Sequence, residues 1–502
     1  MRLLNQTWLG VLAALPLAIS SLAADNPETN HDAEIEALKK QLQELVQKVD
    51  ALEKERTMKT EPMTNAATTQ TEELDQRIRI LERQRELDQE AAATAAKTAP
   101  KISVGANGLA VSSADTNFVF SLKGIVQMDS RTFFDDTALK SNDGFLLRRA
   151  RPIFQGTLYR DFEFRIMPDF GGSSVQLYDA YGNYRFAPWI QLRAGKFKTP
   201  EGLEQLQEDI YTSFNERSLV TDLVPNRDVG IQLWGVIHDG WLTYAAGVFN
   251  GVGDARNSNN SASENNVEFA GRLFLEPFKD SDIVALQNLG VGVAGTTEHD
   301  SGVVNALPST TGGTLPGYAT DGQQQFFAYN PASGVVYADG EHWRLSPQGY
   351  YYNGPFGLLG EYAISDQGVS NGGNKAHLKN TAWEISAGWV LTGEDATFKG
   401  VAPAHPFAPH SGGWGAWQLV ARYAELDIDH DAFPLFSNPA TSASAAQAWA
   451  VGLNWYLNKN VRLNTSYSRT TFTGGGGVGS IAPAVVTRQP EDVLFTRIQL
   501  AF

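Results

Sequence analysis

The chain has 502 residues, 42% of them hydrophobic, with 40 basic and 56 acidic side chains for a formal charge of −16. That apolar fraction is too low for a helical membrane protein, and after the first two dozen residues no apolar run reaches the roughly 18 to 20 residues a spanning helix needs. The absence of cysteine excludes disulfide stapling, while 47 glycines, 11 tryptophans and 26 phenylalanines suit many turns joining strands with aromatic faces.

Residues 1–24 read as an export signal: Arg2, an apolar stretch from Trp8 to Ile19, then the small residues Ser21, Ala23 and Ala24 around the cleavage point. Next, Ile35, Leu38, Leu42, Leu45, Val49 and Leu52 recur at alternating spacings of three and four, an a/d seam within residues 25–57. Three heptads predict a short coiled coil, marginal alone and stable where chains are already held together; the alternative is one amphipathic helix packed on its own barrel. Pro62 and its polar neighbours interrupt the seam. Residues 58–100 are then expected to hold a second short helix, through Leu74, Ile78 and Leu81, and an alanine-rich linker up to Pro100.

From about Lys101 the period changes to two. Trp383, Ile385, Ala387 and Trp389 share a face, as do Trp417, Leu419, Ala421 and Tyr423; Trp449, Val451, Leu453, Trp455 and Leu457; and Val267, Phe269, Gly271, Leu273 and Leu275. The opposite faces are polar or small. With no helix to cross a bilayer, residues 101–502 are expected to form an all-β, transmembrane antiparallel β-barrel whose oily stripes meet lipid. Tight turns such as Leu457 to Asn460 alternate with long polar stretches such as Asp300 to Asp339, which predicts short turns on one rim and long loops on the other. The final run, LFTRIQLAF, sets Leu494, Ile498, Leu500 and Phe502 against Arg497 and Gln499, and a terminal aromatic resembles the insertion signal of outer-membrane barrels.

Charge is unevenly spread. Residues 101–200 hold 13 basic and 9 acidic side chains, whereas residues 201–502 hold 15 and 30. Alternation within this basic block turns Leu146, Ala150, Phe154 and Leu158 outward and Arg149 and Arg151 inward; Phe162, Phe164 and Ile166 outward and Arg165 inward; and Ile190, Leu192 and Ala194 outward and Arg193 inward. Gly195 is expected to shift the register by a bulge, bringing in Lys196 and Lys198. Such a lumen attracts anions, although any one arginine serves equally well as a wall-stiffening partner of Glu163, Asp169 or Asp179. Lys196 and Lys198 have fewer acidic neighbours on their strand.

The segments RRARPIFQGTLYRDFEF, QLYDAYGNYRF, GKFKTPEGLEQL, FNERSL and NRDVGIQLWG resemble, in order, the phosphate-selective porin (porin O and P) family. LTGE, GWGAWQLVARY, GLNWYLNKNVRLNTSY and RIQLAF continue the resemblance, so it covers nearly all of the chain after about residue 105. It implies sixteen strands, a homotrimer, and passive diffusion of inorganic anions, phosphate or related oxyanions, across the bacterial outer membrane. It also implies a loop after GKFKTPEGLE that folds into the channel, which singles out Lys196, Lys198, Arg217 and Arg227. The same stretch carries Glu204, Glu208, Asp209, Glu216 and Asp222, a departure that points to a constriction of mixed charge. A trimer would gather three N-termini and concentrate the helical seam, placing it for a periplasmic or peptidoglycan contact.

No enzyme, cofactor or nucleic-acid partner is expected. The eight histidines are scattered, and His405 and His410 in HPFAPH lack the carboxylate or thiol that a metal site would require. The competing function is a general or carbohydrate-type porin, with Trp343, Tyr350, Tyr351 and Tyr352 as a sugar slide rather than an interfacial girdle.

Overall fold

A computed structural model describes residues 27–56, 65–134, 141–172, 174–258, 260, 266–301, 315–331, 334–477 and 487–502. The export signal expected at residues 1–24 lies outside them. The chain divides into two units between Ala99 and Pro100.

The first unit is a pair of helices, α1 (Pro27–Arg56) and α2 (Asn65–Thr98). They pack on each other through Ile35 and Ile78, both buried, and Lys39 reaches Glu82 at 3.5 Å. Part of the α1 seam is therefore taken up by α2. Where a short helix and a linker were expected, α2 runs on to Thr98, because the alanines from Ala91 to Ala96 propagate a helix better than any other residue.

The second unit starts with a hairpin, β1 (Lys101–Gly105) and β2 (Gly108–Ser112). The wall follows: β3 (Phe118–Phe134), β4 (Gly144–Leu158), β5 (Phe162–Asp169), β6 (Gln176–Ala187), β7 (Ile190–Lys198), β8 (Arg227–Ile237), β9 (Leu242–Phe249), β10 (Glu268–Leu275) and β11 (Leu289–Ser301). A small ribbon, β12 (Tyr318–Ala319) and β13 (Gln325–Phe327), interrupts it before β14 (Tyr337–Asn353), β15 (Phe356–Asn371), β16 (Asn374–Val390), β17 (Ala416–Asp427), β18 (Ala443–Tyr456), β19 (Val461–Gly474) and β20 (Glu491–Ala501). β3 to β11 and β14 to β20 pair in sequence, and β20 returns to β3, which closes an antiparallel barrel of sixteen strands with no free edge. Phe502 exchanges backbone hydrogen bonds with Gly124 at 2.8 and 3.0 Å, and its ring covers that glycine, where a Cβ would lie only 2.5 Å from it.

Alternation sorts the wall as the periodicity predicts. Ile385, Trp389, Leu419, Trp449, Val451, Phe269, Leu273, Ile498 and Leu500 are exposed on the outside, whereas Glu384, Arg422, Arg497 and Gln499 are buried inside. Two aromatic belts cross the outer face of β16 to β19: Trp383, Tyr423, Trp449 and Tyr467 form one, and Trp389, Trp417 and Trp455 the other. Trp383 and Trp389 stand six residues apart on β16, roughly 20 Å along the strand.

One rim carries turns of two to four residues, at 159–161, 188–189, 238–241, 354–355 and 457–460, and the other carries loops such as 199–226, 250–267 and 428–442. Three connections depart from that rule, the first being residues 276–288 between β10 and β11, thirteen residues on the turn rim. Residues 391–415 are a long segment on the turn rim, and Gly372 and Gly373 make a two-residue hairpin on the loop rim. Inside, Leu219, Val220, Leu223 and Val224 of loop 199–226 pack with Tyr318, Phe326 and Phe327 against Ala382, Ala424, Leu426 and Ala446 of the wall. Each such large side chain removed from water contributes roughly 1.5–3 kcal/mol, so this core fixes the loop inside the barrel.

Candidate functional site: the pore loop and its arginines

The chain turns into the lumen after Lys198 because of two glycines. Gly195 has φ +129°, and a Cβ there would lie 2.2 Å from the Ala180 carbonyl oxygen; Gly202 has φ +72° and leaves no room beside Val224. A one-turn helix, α3 (Leu203–Leu206), follows, and its first amides donate to the Glu361 carboxylate of β15, Leu203 N at 2.8 Å and Glu204 N at 3.1 Å. Glu204 in turn accepts from Ser218 N and Oγ and pairs with Arg422 at 3.2 Å, which stitches the two ends of the loop to each other and to the far wall.

Two loop carboxylates organise the basic wall. Asp209 pairs with Arg149 at 3.4 Å, with Arg217 at 2.6 Å and with Arg151, which also holds Asp169 at 2.6 Å. Glu216 accepts two bonds from Arg148, at 2.7 and 2.9 Å, and pairs with Arg131 at 3.2 Å and Arg497 at 3.3 Å. Arg497 is fully buried and also grips Asp129 through both oxygens, at 2.6 and 2.7 Å. Burial opposes ionisation of both loop carboxylates, but Arg149, Arg217 and Arg151 hold Asp209 well below the usual range, and Arg148 does the same for Glu216. Asp222, without such a partner, is pushed well above the usual carboxylate range by burial.

These groups border a cavity of about 350 Å³ lined by Arg148, Arg149, Arg151, Arg217, Arg227 and Arg256 together with Asp209, Glu216 and Asp222. Arg256, on loop 250–267, is exposed. Arg227 is anchored to Asp179 at 2.7 Å, and Arg165 joins the same carboxylate at 3.2 Å. Six guanidiniums thus face Asp209, Glu216 and Asp222 across the cavity, with Asp169 and Asp179 behind.

The remaining expected residues lie elsewhere. Lys198 Nζ donates to the carbonyls of Leu206 and Gln207, at 3.3 and 2.8 Å, and so braces the pore loop; Lys196 Nζ donates to Ser258 O and Asn260 Oδ1, at 2.6 and 3.1 Å, beneath loop 250–267. Arg193 sits among Tyr181, Phe197 and Trp234, 4.5 to 5.4 Å from the ring centres, with no carboxylate partner among the described residues. Leu146 does not face lipid. Gln127 pairs with Arg149 and Met128 with Leu147, so Arg148 is an extra, bulged residue; Asp129 pairs with Leu146, which puts that leucine on the lumen side. The bulge also turns Arg148 inward beside Arg149, which strict alternation could not show. Arg131 and Arg256 were likewise missed.

The aromatic run splits between faces. Tyr350 stacks with Phe398 at 5.3 Å and meets Phe274 at 5.1 Å inside the barrel, whereas Tyr351 meets Phe356 on the outside. A G-x-S-x-G spacing at Gly368 to Gly372 falls at the end of β15 and its hairpin, not at the strand-to-helix elbow that a nucleophile needs.

The sequence pattern of the phosphate-selective porin O and P family matches residues 120–475. The chain belongs to this family. Porin O of Pseudomonas aeruginosa is 26% identical over 386 residues, covering 72% of this chain and 84% of that protein. Among solved structures, the anion-selective porin from Comamonas acidovorans is similar at 13% identity and a TM-score of 0.46, over 77% of this chain and 100% of its own. The outer membrane channel DcaP of Acinetobacter baumannii is similar at 9% identity and 0.48, over 77% and 98%. This porin is therefore a channel of the bacterial outer membrane.

Proposed function

We propose that this porin passes small inorganic anions, with phosphate or related oxyanions favoured, through the arginine-lined cavity at its pore loop. The observation that carries the reading is the sharing of Asp209 by three guanidiniums, which leaves positive charge uncompensated in a confined space. At about 5 Å, two unit charges interact by about 3 kcal/mol at an effective dielectric of about 20 and by under ~1 kcal/mol in water, so the neck decides selectivity. Guanidinium forks match an oxyanion's paired oxygens, and exchange among several arginines keeps each contact weak enough for release.

Arg256 would meet the anion first, Arg148, Arg149, Arg151, Arg217 and Arg227 would pass it along the loop, and Arg193 would receive it nearer the turn rim. Lys196, Lys198 and Arg165 act chiefly by holding loops and wall in place. The aromatic belts meet outer-membrane lipid, the assembly is a homotrimer, and the helices of residues 27–98, after removal of an export signal at 1–24, lie in the periplasm within reach of peptidoglycan. Light scattering on the protein lacking residues 25–100 tests the helices' part: a trimer of unchanged stability would deny them a clamping role.

Chloride current through the purified porin in a planar bilayer should fall on adding phosphate. Arg149→Gln with Arg151→Gln should weaken that block by about tenfold or more, the loss of at least one charge-assisted hydrogen bond worth about 1.5–3 kcal/mol. Equal block in the native and altered porins would overturn the assignment.

A further inference from the structure

A second charged cluster lies at the loop-rim ends of β10, β11 and β14, with the opposite balance. Glu298, Asp300 and His342 bring two carboxylate oxygens and an imidazole nitrogen within 4.8 Å of one another. His342 is buried, its Nδ1 lies 3.0 Å from Glu298 Oε1, and its Nε2 lies 3.1 Å from Ser365 Oγ and 3.6 Å from Asp254. Arg344 is the cluster's one guanidinium, and it is already saturated by Asp254 at 2.7 Å, Glu268 at 2.6 Å, Thr296 Oγ1 and the Val252 carbonyl. Asp254 and Glu268 therefore share one guanidinium, while Glu298 meets His342 and Asp300 accepts from Gln367 Nε2 at 2.7 Å beside them.

A separate observation points to a missing partner. Glu268 is fully buried, and while its Oε1 pairs with Arg344, its Oε2 has no hydrogen-bond partner. Phe269 pairs with Thr297, so the next rung of the ladder sets Glu268 directly against Glu298. Gly251, at φ +91°, closes over the pair, for a Cβ on it would lie 2.1 Å from Glu298 Oε2 and 3.9 Å from Glu268 Cβ. Two facing carboxylates in so dry a place require a proton or a cation between them.

We propose that this cluster binds a divalent transition-metal ion of the Zn²⁺ or Mn²⁺ type, held by His342 Nδ1, Glu298 and Asp300, with the buried Glu268 carboxylate facing Glu298 behind it. An imidazole among carboxylates favours these ions over Ca²⁺ or Mg²⁺, which take oxygen donors. The other ring nitrogen of His342 is already supplied with Ser365 and Asp254 as orienting partners, the arrangement expected behind a metal-bound histidine. The ion would fasten loop 250–267, through Asp254 and Arg344, to the wall that carries it.

The test uses the full-length porin in detergent, stripped with a chelator, in a background of His405→Ala and His410→Ala to remove the exposed histidine pair on the turn rim. Calorimetric titration with Zn²⁺ or Mn²⁺ should give one ion per chain, with Ca²⁺ at least tenfold weaker, and loading should raise the unfolding temperature. His342→Gln and Glu298→Gln should each lower affinity by tenfold or more. Should either variant fail to fold, the stripped parent protein still decides. No uptake by that protein, Ca²⁺ bound as tightly as Zn²⁺ and Mn²⁺, or a folded His342→Gln that binds unchanged would overturn the site and leave a proton shared by Glu268 and Glu298.

Discussion

Around Asp209 one carboxylate serves three guanidiniums, and around Arg344 one guanidinium serves two of four neighbouring carboxylates. Both clusters line the same barrel, both are buried, and both join a loop to the wall. They differ in which charge is in excess. The first stands where basic strands β4 to β7 meet an acidic loop, the second where acidic strands meet a lone arginine. Burial alone therefore does not fix the sign of the local charge; the ratio of arginine to carboxylate in each cluster does, and the chain's net charge of −16 does not reveal it.

The strongest way to break the comparison is to remove each hub. Asp209→Asn should leave Arg149 and Arg217 without their carboxylate and Arg151 with Asp169 alone, and Arg344→Gln should strand Asp254 and Glu268, each costing about 3–5 kcal/mol, readable as a fall in unfolding temperature. Their effects on permeation should be opposite in sign, with stronger anion preference in Asp209→Asn and weaker preference in Arg344→Gln. A shift in the same direction would mean that the two clusters do not set the potential of the pore.

Most of the barrel was legible because alternation has a single period and lipid enforces it: Trp383 to Trp389, Trp449 to Trp455 and Leu494 to Leu500 all face the side their spacing predicts. What escaped were the places where that period fails. The bulge at Arg148 inverts Leu146 and adds an arginine to the site, and no residue type in GFLLRRAR announces it. The loop's interior was only half legible. Its acids, Asp209 and Glu216, could be named, but their pairing with particular arginines rests on contacts across more than fifty residues of sequence. Lys196 and Lys198, prominent for want of acidic neighbours on their own strand, are capped by backbone carbonyls, and strand alternation says nothing of those. The helical pair shows the opposite case: the heptad spacing of α1 is plain in its leucines, but the alanine-rich stretch that continues α2 to Thr98 has no apolar period to announce it.

Smaller changes sharpen the picture. Lys198→Met removes two bonds to loop carbonyls and should broaden the distribution of single-channel conductances while moving selectivity little. Arg256→Ala, at an exposed position, should leave stability within about 0.5 kcal/mol of the parent and weaken phosphate block about two- to fivefold, the equivalent of ~0.4–1 kcal/mol. The least change is expected with pH. Asp209 and Glu216 are held low by their arginines, so their stabilisation is fully present above the ordinary carboxylate range of about 4 and is lost only as pH falls through their lowered folded values. The share of stability that these two carboxylates contribute should therefore stay level from pH 7 to about 5 and drop below about 4, so that below about 4 the unfolding temperature falls less steeply in Asp209→Asn than in the parent.

The most direct test is the reversal potential of the unaltered porin in a planar bilayer under a salt gradient. The arginine excess at the pore loop predicts a potential of the sign that marks anion preference, moving towards zero when phosphate occupies the channel. A potential of the cation-selective sign would contradict it.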